Sequence, residues 1–294
     1  MRFSALLLFV WLNLTPGLGL AASLNTLCLD TQLAILTSRA GGRIGICISD
    51  GHKAVSYNGG KQFSLYNVVG LPVAVAVLDA VDKGRIHLED VVTGQPEVHR
   101  AGGQLPSKPA GANGPKATTR DLLVRMVADN DSTATDSLIA RLGGPRVVQN
   151  VLAQKGIRGF RINRTERDAG SLAYEHHNSA TPIAVANLLQ WLVNGTLLSS
   201  RSSTLLLETM GTARASLDRL KAGLPTGWLI AHVSSSSTSS MVVSGAANDV
   251  GILMAPDARN FVVVAVLISN PGKSGQDRAT FIADVARAVG TCFR

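Results

Sequence analysis

The chain has 294 residues, a formal charge of +8, and 46% hydrophobic against 16% charged residues. After removal of an N-terminal leader this is enough for one large domain or two interleaved ones. The basic residues are scattered and few aromatics interleave with them, so no stacking platform for nucleic acid is expected. A basic surface facing an anionic envelope fits the charge better.

In chain order, Met1 to Ala22 has one early Arg, a short apolar core and a small-residue cleavage site, which predicts a secretory signal peptide over 1–22. Asn13, Pro16 and two glycines break the run too early for a membrane span. No later run is long and apolar enough to cross a bilayer, so the mature protein is expected to be periplasmic or secreted, without membrane insertion. Leu24 to Thr37 predicts an amphipathic helix closed by Gly41-Gly42. Arg43–Asp50 and Lys53–Asn58 predict a hairpin around Asp50-Gly51.

Phe63 to Asp82 is the most apolar run of the mature chain. It starts at a polar cap candidate, Asn67, and stops at Lys83-Gly84. A helix apolar all round is a buried one, so the remaining chain is expected to wrap around it. Residues 91–117, rich in Gly, Pro, Lys and Ala, predict a surface excursion.

Helices are predicted over Thr119–Ala128, Thr133–Leu142, Pro145–Lys155, Pro182–Asn194 and Ser202–Met210, with Pro145 and Pro182 as first helical residues. Arg161 to Ala180 has no clear period and is expected to be a loop. Strands follow at Trp228–Val233, Met241–Ala247, Val250–Ala255 and Phe261–Ser269, then a helix over Gln276–Val289. The expected architecture is α/β (α+β), one antiparallel sheet built from both chain ends with flanking helices. Residues 23–62 and 212–294 form the sheet lobe, residues 63–211 an all-helical lobe, and the cleft between them is the default ligand site.

The three cysteines, Cys28, Cys47 and Cys292, form no CxxC and no Cys/His cluster with ligand spacing, so neither metal nor cofactor is expected. A Cys28–Cys292 disulfide would tie the two ends together and leave Cys47 buried in a strand. Three unpaired buried thiols are the alternative.

Four strings carry a resemblance that covers nearly the whole mature chain: Gly41-Gly-Arg-Ile-Gly45, Leu138-Ile-Ala-Arg-Leu-Gly-Gly-Pro145, Arg164-Thr-Glu166, and Ala222-Gly-Leu-Pro-Thr-Gly-Trp-Leu-Ile-Ala231. In this order and spacing the chain resembles the class A serine β-lactamases and the wider penicillin-recognising enzymes. The resemblance implies the β-lactamase/transpeptidase-like fold. It also implies a Ser and a Lys at i and i+3 of one helix, where the ammonium reaches the hydroxyl and helps activate it.

Aligning Phe63-Ser-Leu-Tyr-Asn67 on that pattern puts Asn67 at the nucleophile and Gly70 at the Lys. An amide is no nucleophile, and glycine has no side chain. None of the eight lysines has a Ser three residues before it, so no register shift restores the motif. An interior Gly costs about 1 kcal/mol and an interior Pro about 3 kcal/mol relative to Ala. The regular helix is therefore expected to start near Leu71, with Pro72 in its first turn.

The family's second motif, Ser-Asp-Asn, aligns with Asn130, Asp131 and Ser132, so the proton-shuttling hydroxyl becomes an amide and the anchoring Asp stays. Its third, Lys-Thr/Ser-Gly, aligns with Val233, Ser234 and Ser235, so the strand cation is lost. Lys273-Ser-Gly275 spells this motif but follows the last strand and is expected to be a turn. Glu166 stands at the family's general-base position, but its usual Asn partner four residues on is Gly170. The carboxylate that closes the omega loop on Arg164 is replaced near Asn178.

Other candidates have plainer readings. His176-His177 beside Glu175 is expected to be a surface pair, and His232 a satisfied structural histidine. Ser234 to Ser240 has no positioned base, and Trp191 and Trp228 are core. The resemblance and its losses imply a monomeric exported protein without activity, retained for binding a β-lactam or peptidoglycan peptide, or an envelope protein. The alternative is an active β-lactamase with a nucleophile outside the family pattern, Ser64 or a serine of 234–237. A third reading is a hydrolase in which Glu166 activates water with no covalent step.

Overall fold

The computed structural model describes residues 23–92, 116–166, 178–236, 245–257, 260–269 and 272–294. The expected signal peptide, most of the 91–117 excursion, Gly170, Glu175, His176, His177, Ser237, Ser239 and Ser240 lie outside the described residues.

Helix α1 (Thr26–Ala40) starts at Asn25, whose side chain accepts from the Cys28 N–H, and stops at Gly41 with φ 64°. Strands β1 (Arg43–Ser49) and β2 (Ala54–Tyr57) form the expected hairpin. The Asp50 carboxylate holds its turn by accepting from the N–H groups of His52 and Lys53.

Short β3 (Phe63–Ser64) leads into a 3-10 turn, Tyr66–Val69, and then α2 (Gly70–Asp82). Every residue of α2 from Gly70 to Ala80 is buried. The helix starts one residue before the expected Leu71, and Pro72 sits in its first turn, where its missing N–H removes no intrahelical bond. Asn67 does not cap α2: the 3-10 turn runs straight into the helix and no side-chain cap bond forms.

The C-terminal half of α2 is anchored by charge. Buried Asp79 pairs with Lys83 at 2.7 Å, Lys155 at 2.9 Å and Arg85 at 3.2 Å. Asp82 accepts from the Ser199 and Ser202 hydroxyls.

Beyond the excursion, whose neck is β4 (Val91–Val92) paired with β5 (Ala117–Thr118), come α3 (Thr119–Asp129), α4 (Ser132–Leu142) and α5 (Pro145–Gln154). Two three-residue strands follow, β6 (Phe160–Ile162) and β7 (Asn178–Ala180), then α6 (Pro182–Val193), α7 (Ser200–Gly211) and α8 (Leu220–Gly223). Strands β8 (Leu229–Ser236), β9 (Ala246–Met254) and β10 (Phe261–Ser269) and helix α9 (Gly275–Cys292) complete the fold.

The main sheet runs β2-β1-β10-β9-β8, antiparallel throughout, so both chain ends build it as expected. Its two faces follow the strand period of two. Ile44, Ile46, Ile48, Val262, Val264 and Val266 pack under α1 and α9, while Cys47, Val263, Ala265 and Leu267 join the core around α2.

Three expectations are corrected. The middle lobe is not all-helical, because β3, β7 and β6 form a small sheet within it. For the same reason Arg161–Ala180 is not a loop at its ends; strands of two or three residues are too short to show alternation. Val250–Ala255 is not a separate strand: Asn248 and Asp249, which look like a break, are fully buried inside the continuous β9.

Cys28 and Cys292 form a disulfide joining α1 to the end of α9, and Cys47 is a free, buried thiol. Lys273-Ser-Gly275 is a helix start, with Ser274 and Asp277 forming a capping box for α9. Among the described residues no helix is long and apolar enough to cross a membrane.

Candidate functional site

The residues aligned with the family motifs meet where the 3-10 turn after β3, the α3–α4 junction and the edge strand β8 come together. Tyr66, just before Asn67, holds a left-handed conformation at φ 48°. Such a conformation costs a non-glycine residue about 1–2 kcal/mol and survives only where the surroundings impose it. The Leu65 N–H donates to the Asn178 carbonyl, and the Val68 N–H to the Leu65 carbonyl, on either side of it.

The structure brings three of the altered motif positions together. Asn67 Nδ2 donates to the Asn130 carbonyl at 2.9 Å. Asn130, itself left-handed at φ 57°, reaches the Ser234 hydroxyl with its Nδ2 at 3.4 Å. Amide and hydroxyl groups thus bridge the helix start, the α3–α4 junction and β8.

Gly70 and Val233, the residues aligned with the family's two lysines, are packed in rather than facing open space. A side chain on Gly70 would start with its Cβ 3.0 Å from Met126 Cγ, and Met126 is fully buried. Val233 is 0% exposed, part of the core between sheet and helical lobe. Ser235 turns its hydroxyl to the Leu65 carbonyl at 3.1 Å, and Asn248 donates to the Ser64 and Leu65 carbonyls. These bonds stitch β3 and the 3-10 turn onto the sheet.

Asp131 keeps an anchoring role. One oxygen caps α4 at the Ala134 N–H, and the other pairs with Arg125 at 2.6 and 2.9 Å. Ser132 is the first residue of α4.

Glu166 donates its backbone N–H to Asp136 Oδ1 at 2.5 Å. Burial pushes the Glu166 carboxyl up to a pKa of about 7, with the Asp136 charge adding to the effect. Asn178 does close on Arg164: its Oδ1 accepts from the Asn163 and Arg164 N–H groups, and its Nδ2 donates to the Arg164 carbonyl.

Three residues that no motif marks lie on or beside β8. The Arg219 guanidinium donates to the Ser235 and Asn248 carbonyls at 2.6 and 2.9 Å. His232, 1% exposed, meets Asp249 Oδ1 through Nδ1 at 2.8 Å. Gly251 makes room for it, since a Cβ there would sit 2.7 Å from His232 Cβ.

The expectation of a fully satisfied histidine is half right. Its Nε2 is buried without a hydrogen-bond partner among the described residues, as is Arg219 Nε. A polar pair such as Asn248-Asp249 in the middle of a strand is the one sequence signal that could have pointed here. Among the described residues no group of three His, Cys, Asp or Glu is placed to hold a metal ion.

A family model described as the Beta-lactamase enzyme family matches residues 28–293. The chain is 26% identical to the β-lactamase VEB-1 of Pseudomonas aeruginosa, with 83% of each chain covered. It is 27% identical to a β-lactamase of Bacteroides uniformis, covering 90% of this chain and 91% of the relative. Among solved structures it resembles an ancestral class A β-lactamase with a TM-score of 0.78 at 27% identity, covering 90% of this chain and all of that one. A β-lactamase from Chitinophaga pinensis DSM 2588 gives a TM-score of 0.80 at 25% identity, with 90% and 98% covered.

Proposed function

The chain belongs to the β-lactamase enzyme family, and we propose that it is an exported member that forms no acyl-enzyme and serves as a binding protein for a cell-wall peptide or an envelope partner. The observation that carries this reading is Asn67, at the nucleophile position, with its amide bonded to the Asn130 carbonyl. Acyl transfer by this family's route needs a hydroxyl with a base in reach. Asn67 has no hydroxyl, Gly70 no amine, and Met126 fills the space an amine would cross.

Replacement serines fare poorly. The Ser235 hydroxyl is turned to a carbonyl, the Ser234 hydroxyl meets an amide, and His232 gives its Nδ1 to Asp249. Glu166, with its raised pKa, aligns with the family's deacylation base, but without an acyl-enzyme it has no ester to hydrolyse.

Export is supported by the leader-like pattern of residues 1–22, one early Arg and a short apolar core, and by the Cys28–Cys292 disulfide, a bond that persists in oxidising compartments. Calorimetry with a muropeptide, beside a chromogenic cephalosporin assay, tests the reading. Saturable binding without turnover is expected; turnover by the pure protein, or no binding of peptide or envelope partner, overturns it.

A further inference from the structure

On the sheet face away from α2 we infer a second binding site, one that takes a small anion with an apolar body, such as a medium-chain carboxylate. It lies where the end of α1 and the start of β1 meet the end of β10 and the first turns of α9, in a pocket of about 260 Å³. Asn67, Asn130 and Ser234 take no part in it. The volume falls just below the roughly 300–1,000 Å³ of drug-sized sites, so the ligand it suits is a small one.

Two kinds of side chain line the pocket. Ile44, Ile268 and Phe281 are buried members of the core under α1 and α9, so the inner wall is apolar. Arg39, Lys273 and Arg278 bring three cations, and Arg39 and Lys273 are exposed. The Arg278 guanidinium donates to the Lys273 carbonyl. The Arg39 and Lys273 side chains make no hydrogen bond or ion pair among the described residues.

The two acids at the pocket are committed elsewhere. Asp277 accepts from the Ser274 hydroxyl and N–H as part of the cap of α9. Those bonds, with the charges of Lys273 and Arg278, hold its carboxyl below the ordinary value. Asp284 pairs with Arg287, which is not part of the lining. The pocket therefore keeps uncommitted positive charge beside an apolar wall. A neutral apolar ligand would leave those cations unused, an amine would meet like charge, and a bare phosphate would leave the wall in water. A carboxylate on a short alkyl chain answers both halves.

Calorimetry on the protein tests this with sodium octanoate, octanol and octylamine. Octanoate is expected to bind about tenfold more tightly than octanol, as one charge-assisted hydrogen bond implies, and octylamine more weakly than either. The double variant Arg39→Ala with Lys273→Ala should bring octanoate down to the affinity of octanol. Both side chains are exposed and unbonded, so its melting temperature without ligand should match that of the wild type. Lys273→Arg alone should keep the preference for octanoate.

Equal affinity for octanoate and octanol, binding of neither, or octanoate binding unchanged in the double variant overturns the inference. So does retention on phosphatidylglycerol vesicles without binding of octanoate, which would assign these cations to a lipid surface. None of these outcomes touches the non-acylating reading of Asn67.

Discussion

Asn67 Nδ2 donates to the Asn130 carbonyl oxygen at 2.9 Å, across 63 residues of sequence. The bond joins the 3-10 turn that leads into the buried helix α2 to the left-handed junction between α3 and α4. Asn67→Ala removes it and leaves a partly buried carbonyl unpaired, so a loss of about 1–2 kcal/mol is expected. Urea unfolding with an unchanged m-value checks it. Asn67→Ser, whose shorter side chain does not span the gap, should lose as much and gain no hydrolysis.

Restoring the lysine should fail for reasons of space. In Gly70→Lys the new Cβ meets Met126 Cγ at 3.0 Å, and the chain beyond it enters an apolar core. A loss of about 1–3 kcal/mol is expected, since overpacking a filled core strains its neighbours. Adding Met126→Ala should cost less in the Gly70→Lys background than alone, with a coupling above about 0.5 kcal/mol in a double-mutant cycle. Additive losses would show that Met126 is not what closes this position.

Glu166 makes stability depend on pH. Its pKa rises on folding from 4.5 to about 7, so its proton is held more tightly in the folded state. The stabilisation is full below pH 4.5 and is lost as pH climbs through 7. Glu166→Gln removes that dependence. The variant should become the more stable protein above pH 7, where Glu166 bears its charge against the burial that raises its pKa. Thermal melts of both proteins at pH 4.5, 6 and 8 measure it; a constant difference across the series would contradict it.

Most helices were legible in the sequence because their signals are local: Pro145 and Pro182 do start α5 and α6. The buried centre was legible too, from the apolar run that becomes α2. What escaped depends on distant partners. Asn67 looked like a cap until Asn130 claimed its amide, and Asn248-Asp249 looked like a break in a strand. In the fold Asn248 holds Ser64 and Leu65, while Asp249 holds His232. No local pattern announces a bond across 184 residues. Family spacing picks out Gly70 and Val233, but it carries no sign of Met126 at 3.0 Å from a Gly70 Cβ or of the core that buries Val233.

The disulfide gives a further test. Cys28 and Cys292 lie 264 residues apart, so their bond restrains nearly the whole unfolded chain. Loop-closure entropy sets its contribution at roughly 5 kcal/mol. Reduction, or Cys28→Ser with Cys292→Ser, should lower the melting temperature markedly. Burial pushes the Cys47 thiol up to about 11, so it should react with a thiol reagent only after unfolding. Two or more reactive thiols in the folded, oxidised protein would refute the pairing.

The central claim is that no residue here carries an acyl group, and intact-protein mass after long incubation with a penicillin tests it whichever residue reacts. An unchanged mass is predicted, for the wild-type protein and for Asn67→Ser alike. A gain equal to one penicillin, stable to denaturation and mapped to any serine of the cleft, would contradict it.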